Sequence, residues 1–158
     1  RRPARRALRG RPAHMSGTAP LILHASAVAF DGRGVLIRGG AGSGKSVLTL
    51  GLLSRGGRLL ADDRTCLGRR GADLIAWSPE PLLGLVEARG VGLLHADPAP
   101  PAALRLVVDL DAEEPDRLPP DRSCDILGRT LPLVLGAGHP YLADVIPQFL
   151  RSGRLSTP

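Results

Sequence analysis

At 158 residues, 43% of them hydrophobic, the chain is long enough to bury the core of one domain. Aromatic residues make up 3%, which excludes a surface of stacking platforms for single-stranded nucleic acid. The formal charge of +6 points to a polyanionic partner only until it is located: Arg1, Arg2, Arg5, Arg6, Arg9 and Arg11 supply all of it, no acid occurs before residue 15, and the remainder is formally neutral. Neither nucleic acid nor a membrane is therefore an expected partner. The leading segment 1–14 has no apolar run, so it is neither a signal peptide nor a span. It is expected to be a disordered basic extension, with residues 15–158 forming the domain. Cys66 and Cys124 form no CxxC pair, which fits reduced core thiols in a cytoplasmic protein.

In chain order, "LILHASAVAF" (21–30) is β-compatible and is followed by a turn at "DGRG" into a second strand at 35–38. A glycine cluster follows. Val47, Leu48, Leu50, Leu52 and Leu53 then lie at helical spacing, and Gly56-Gly57 stops the helix. "RLLADD" reads as a buried strand ending in two carboxylates. Short β-like runs alternate with turns from Ala72 to Ala96, and "ALRLVVDLD" (103–111) is a further strand. The proline-rich, polar segment 113–123 is the best candidate for a mobile loop, and 140–150 reads as a helical tail containing Pro147.

The cluster carries the strongest chemical signal. Gly39, Gly40, Ala41, Gly42, Ser43, Gly44, Lys45 and Ser46 satisfy G-x-x-x-x-G-K-[ST] directly between a strand and a helix. Glycines allow successive backbone N–H groups to turn inward around a phosphate, the helix N-terminus adds its positive end, and Ser46 offers a hydroxyl to Mg²⁺. Lysine usage is a second clue. Of 21 basic residues every one except Lys45 is arginine, so a lysine survives where a compact ammonium must enter a tight loop that a planar guanidinium cannot. Strand, glycine loop, helix and strand together make a P-loop unit.

Asp62 and Asp63 end the strand after that helix, on the side where α/β ligands bind. Neighbours on an extended strand face opposite ways, so the pair divides its work unless the strand ends between them. One carboxylate is expected toward the phosphate or its metal and the other toward a proton leaving an attacking hydroxyl. Glu87 is a candidate Mg²⁺ ligand. His24, read alone, is more often a satisfied core histidine.

Together, "HASAVAFDGRGVLIRGGAGSGKS", "RGGRLLADDR" and "LVEARGVGLL" resemble the catalytic domain of HPr kinase/phosphorylase, over about Leu21 to Leu127. The likeness is to short forms without the long N-terminal domain. It implies an α/β P-loop domain of the HPr kinase type, with a mixed β-sheet and few helices. It implies ATP on Gly39–Ser46, Lys45 on the phosphates, and Ser46 and Glu87 on Mg²⁺. Asp63 would exchange the serine proton, Asp62 would support it, His24 would lie near the reaction centre, and Arg117 would match the family's catalytic arginine. The implied partner is an HPr-like phosphocarrier and the implied assembly a homo-oligomer, in this family a hexamer. The sequence departs from the family pattern at Val47, where an acid is common, and at Ala88, where a larger aliphatic residue is common. It also departs at "LPLVLGAGHPYLADVI", where long forms carry the arginine-containing P-V-R-P-G-R-N segment linked to dephosphorylation. No arginine lies between Arg129 and Arg151, so kinase activity is expected to survive better than dephosphorylation. An ATP-sensing module that has lost transfer is the main alternative. A small-molecule kinase leaves "LVEARGVGLL" unexplained.

Overall fold

A computed structural model describes Pro12, Met15 and residues 19–79 and 83–156. Apart from Pro12, the basic segment 1–14 lies outside the described residues. The first β-compatible run is two strands that serve different partners. Leu21–Leu23 (β1) pairs antiparallel with Thr65–Arg70 (β5), whereas Ala25–Phe30 (β2) lies between Arg33–Arg38 (β3) and Arg58–Ala61 (β4). The change of partner falls on His24. Asp31 and Gly32 both have positive φ, 49° and 76°, and close β2 onto β3 as a two-residue turn. The second strand therefore begins at Arg33, earlier than its apolar run at Val35. The helix Lys45–Ser54 (α1) ends as expected, with Arg55 and Gly57 N–H groups returning to Leu52 O.

Further along, β5 forms a hairpin with Asp73–Trp77 (β6), and Leu85–Ala88 (β7) pairs with Gly92–His95 (β8) as a separate two-stranded ribbon. Ala102–Asp109 (β9) is the expected late strand. Beyond it come two strands that the apolar pattern left unmarked, Ser123–Ile126 (β10) and Arg129–Leu135 (β11), then the helix Leu142–Ser152 (α2). Their concealment has a physical cause. β11 pairs with β10 through Pro132 and with β9 from Leu133, so no single alternation runs along it, and its proline sits at the handover.

The main sheet runs β1-β5-β6-β9-β3-β2-β4, with β11 joining β9. β9 is parallel to β3 and β11 and antiparallel to β6, so the sheet is mixed and two helices suffice to cover it, as the resemblance implied. Alternation sorts the core into two faces. Val28, Val35, Ile37 and Val108 pack under α1 and α2, whereas Ala27, Leu36, Leu60, Leu74 and Val107 fill the opposite side, where the sheet curls over itself.

The segment 113–122 is irregular, as its prolines require, and it is tied across its base; Ser123 already belongs to β10. Arg122 donates to both carboxylate oxygens of Glu114 at 2.6 and 2.9 Å, and Glu113 bridges to Gly136. The Arg122 guanidinium holds the Glu114 carboxyl below the usual range. Cys66 packs with Ile75 and Trp77, and Cys124 lies against the other core face. Burial raises both thiols, and both are free. Among the described residues, no helix is long and apolar enough to cross a membrane.

Candidate active site at one edge of the sheet

Strand register places the candidate residues together. Ala25 is opposite Arg38, Arg38 opposite Asp109, Ala27 opposite Ala61, and Asp109 opposite Leu135. His24, the loop from Gly39, the Asp62–Asp63 pair, Asp111 and the segment from Gly136 therefore all leave the sheet at the same edge. This is the crevice outside strand ends where open α/β sheets bind ligands.

The glycine loop is held from within and from the neighbouring strand. Lys45 Nζ donates to Gly39 O at 2.7 Å, and Ser43 N–H donates to Gly40 O at 3.1 Å. Gly40 N–H lies 3.0 Å from both oxygens of Asp111, which anchors the start of the loop to the end of β9. A Cβ on Gly39 would stand 2.5 Å from Ser43 Oγ, and Gly44 opens α1 at φ 100°, so these two glycines are sterically required. Ser43 Oγ is buried and, among the described residues, is the one such side-chain polar atom without a partner. An orphaned hydroxyl costs about 1–3 kcal/mol. A phosphate oxygen in the cradle relieves that cost, so the loop fits a phosphate on its own geometry.

The two aspartates divide their work because β4 ends at Ala61. Asp62 turns inward: Oδ1 accepts from Ser26 Oγ and Oδ2 from the Glu87 N–H, both at 3.0 Å. It thereby fastens β7 to β2. Asp63 adopts φ 63°, and its N–H donates to Ser26 Oγ at 3.0 Å. Its carboxylate turns outward, where Oδ1 lies 2.7 Å from His24 Nε2. The described residues hold three non-glycine positive-φ positions, and Asp31 and Leu127 are in hairpin turns. Asp63 alone of the three sits at a candidate site, where a strained backbone re-aims a side chain. The His24 and Asp63 side chains are 65% and 61% exposed. Such a surface pair adds about 0–1 kcal/mol to stability. Its geometry is that of a carboxylate oriented by an imidazole and open to another macromolecule.

Glu87 is exposed on β7, and α1, which carries Ser46, packs against β7. A hydroxyl and a carboxylate on adjacent elements suit Mg²⁺, which takes few protein ligands and completes its shell with water and phosphate oxygens. No group of three or more His, Cys, Asp or Glu that could hold a metal occurs among the described residues. Arg117 is exposed in the loop after β9, and among the described residues no hydrogen bond is seen from it to Asp62, Asp63 or the glycine loop. Three contributors escaped the sequence reading. Ser26 was visible as a polar interruption in an alanine-rich strand, and Asp111 as the acid ending the strand beside the loop. The segment 136–144, which lines a cavity against the glycine loop, carried no motif.

The model of the HPr Serine kinase C-terminal domain family matches residues 18–99. HPr kinase/phosphorylase of Stenotrophomonas maltophilia (strain K279a) is 47% identical over 76 residues, 48% of this chain and 24% of the relative. That of Clostridium botulinum (strain Eklund 17B / Type B) is 40% identical over 72 residues, 46% of this chain and 24% of the relative. The matches thus span about a quarter of the length of these curated relatives, 24% in each case. The solved structure of the Hpr(Ser) kinase/phosphatase from Coxiella burnetii superposes with a TM-score of 0.70 at 28% identity, covering 83% of this chain and 94% of that one.

Proposed function

The chain belongs to the HPr serine kinase C-terminal domain family, and we propose that it transfers the γ-phosphoryl group of ATP to a serine of HPr or an HPr-like phosphocarrier. The observation that carries this reading is the exposed His24–Asp63 pair on the same sheet edge as a phosphate-shaped glycine loop. A small-molecule site would enclose its acceptor. Here the acceptor carboxylate is open to a protein surface.

Gly39–Ser46 would hold ATP, the phosphoryl donor, and Ser46 and Glu87 would hold Mg²⁺, which would neutralise charge on the phosphates. Lys45 leaves Gly39 O for the β- and γ-phosphates, or bridges both. His24 holds one oxygen of Asp63, so the other is free to take the proton of the incoming serine hydroxyl. Asp62 keeps Asp63 and Glu87 in register through Ser26 and the Glu87 N–H. Arg117, on the loop that follows Asp111, is the candidate to stabilise the transferring phosphoryl group. We propose a homo-oligomeric, hexameric assembly and a cytoplasmic location. Val91 and Leu93, 75% and 68% exposed on the β7–β8 ribbon, support an assembly that covers them.

Reverse transfer brings inorganic phosphate beside a phosphoserine, and two dianions in one site call for extra positive charge. Arg129 opens β11 at the end away from Leu135, and Arg151 lies where Arg33, at the far end of β3, bonds the α2 carbonyls. Neither is placed at the site edge. At that edge Arg38 is paired with Asp109 at 3.4 Å, and Arg55 is paired with Asp144 at 2.7 Å. Phosphorylation is therefore expected to exceed phosphate-dependent dephosphorylation in one preparation.

The test is incubation with ATP, Mg²⁺ and HPr-like carriers, with phosphoserine mapping and release of pyrophosphate followed in reverse. A carrier left unmodified at high enzyme concentration favours the ATP-sensing alternative. Efficient reversal indifferent to changes at Arg129 and Arg151 defeats the charge-based expectation.

A further inference from the structure

The glycine loop has a second flank that phosphate chemistry does not use. A cavity of about 430 Å³ opens from Ser43 and Gly44 along the outer face of α1 and is closed on the other side by the segment 136–144. That is far more room than a phosphate needs, and it lies within the range of small-molecule sites. Val47, Gly51 and Arg55 follow one another at helical spacing along its α1 wall, a length of about 12 Å. His139 and Tyr141 form the facing wall. Val47 is 77% exposed and Tyr141 58%, so two apolar surfaces stand uncovered across one cavity beside the phosphate cradle.

Tyr141 is held in place. Its ring meets the His139 ring edge to face, centroids 4.5 Å apart at 74°, and its N–H donates to His139 Nδ1 at 3.2 Å. A ring fixed before a ligand arrives gives up little entropy on contact. Besides the His139 imidazole and the Tyr141 hydroxyl, the polar side chains of the lining are Ser43, whose Oγ is unpartnered at the cradle, and the Arg55–Asp144 pair at the far end.

We propose that this cavity takes the nucleoside of the phosphoryl donor, a purine ring lying between Tyr141 and Val47 with the ribose over the first turn of α1. The proposal rests on the kinase reading of the glycine loop and adds donor selection to it. Two positions where this sequence departs from its family's pattern, Val47 and the segment containing Tyr141, become the two walls of one site. An inorganic polyphosphate would use the cradle and leave both walls wet.

The test is calorimetric titration of the full chain, in Mg²⁺, with ATP and with inorganic tripolyphosphate. The wild type is expected to bind ATP at least tenfold more tightly. Tyr141→Ala should remove about tenfold of ATP affinity, the effect of one lost aromatic partner for a base, and leave tripolyphosphate binding unchanged. Tyr141→Phe, which keeps the ring, should restore the preference. Equal affinities in the wild type overturn the nucleoside site, as does parallel weakening of both ligands in Tyr141→Ala. Lys45→Ala separates the two readings. If it weakens both ligands while the wild type shows no ATP preference, the nucleoside site alone fails; if tripolyphosphate binding ignores Lys45, the phosphate reading fails and takes this one with it.

Discussion

The two flanks of the glycine loop are built from different materials. On the side of His24, Ser26, Asp62, Asp63 and Glu87, polar side chains bond one another and the backbone N–H groups of Asp63 and Glu87, joining β2, β7 and the end of β4. On the side of Gly136 to Asp144, backbone bonds set the path, such as Gly136 N–H to Asp109 O and Ala137 N–H to Ala112 O, and the walls are largely apolar. The first flank tolerates few substitutions because Ser26 and both carboxylate oxygens of Asp62 are committed to specific partners. The second is defined by shape, and many sequences make a similar shape. Accordingly the family match covers residues 18–99, and all five residues of the first flank lie inside it while the whole second flank lies beyond.

Asp63→Asn should give the largest effect on the polar flank. Transfer to the carrier should fall about 10²–10⁴-fold because the amide cannot accept the serine proton, with ATP affinity unchanged. Single-turnover phosphorylation beside a nucleotide titration measures both. A larger loss in Asp62→Asn would exchange the roles of the two aspartates.

Lys45→Arg touches the centre that both flanks share. Transfer should drop about 10²–10³-fold, comparable to loss of one preorganised donor to the transition state. The planar fork cannot replace an ammonium that now reaches Gly39 O inside the loop. Near-normal turnover would show that the chain's solitary lysine carries no such meaning.

A smaller effect, read as stability, is expected of Asp62→Ala. It leaves Ser26 and the Glu87 N–H without their acceptor, and stability should fall by about 1–3 kcal/mol in urea denaturation. Asp62→Asn, whose amide oxygen still accepts one bond, should fall between. No change in either variant would separate the β7 ribbon from the polar flank.

The smallest effect concerns the tether of the loop that carries Arg117. Glu114 has a depressed pKa in the folded state, so its pairing with Arg122 contributes fully above the ordinary glutamate value of about 4.3. That contribution is lost as pH falls through the lowered value. Pepsin cleavage within 113–122 should therefore rise at the acid end of the scale, and Glu114→Gln should show the raised cleavage already at pH 4–5. Equal cleavage of the two proteins throughout would remove Glu114 from the tether.

By itself the sequence determined the parts whose chemistry depends on residue type at short range. The phosphate loop needs glycines, one lysine and one serine in consecutive positions, and the Asp31–Gly32 turn and the Gly56–Gly57 stop follow from local backbone preference. The mixed sheet with few helices was reached through family resemblance, since no local pattern states which strands are neighbours. Tertiary structure alone decided that β1 and β2 part company at His24, that Pro132 marks a second such handover, and that Asp62 turns inward while Asp63 turns out. It also decided that Asp111 anchors Gly40 across 71 residues. These outcomes depend on pairing between distant strands, and a side chain's partner across a sheet is set by register, which the residue's own neighbours in sequence do not encode.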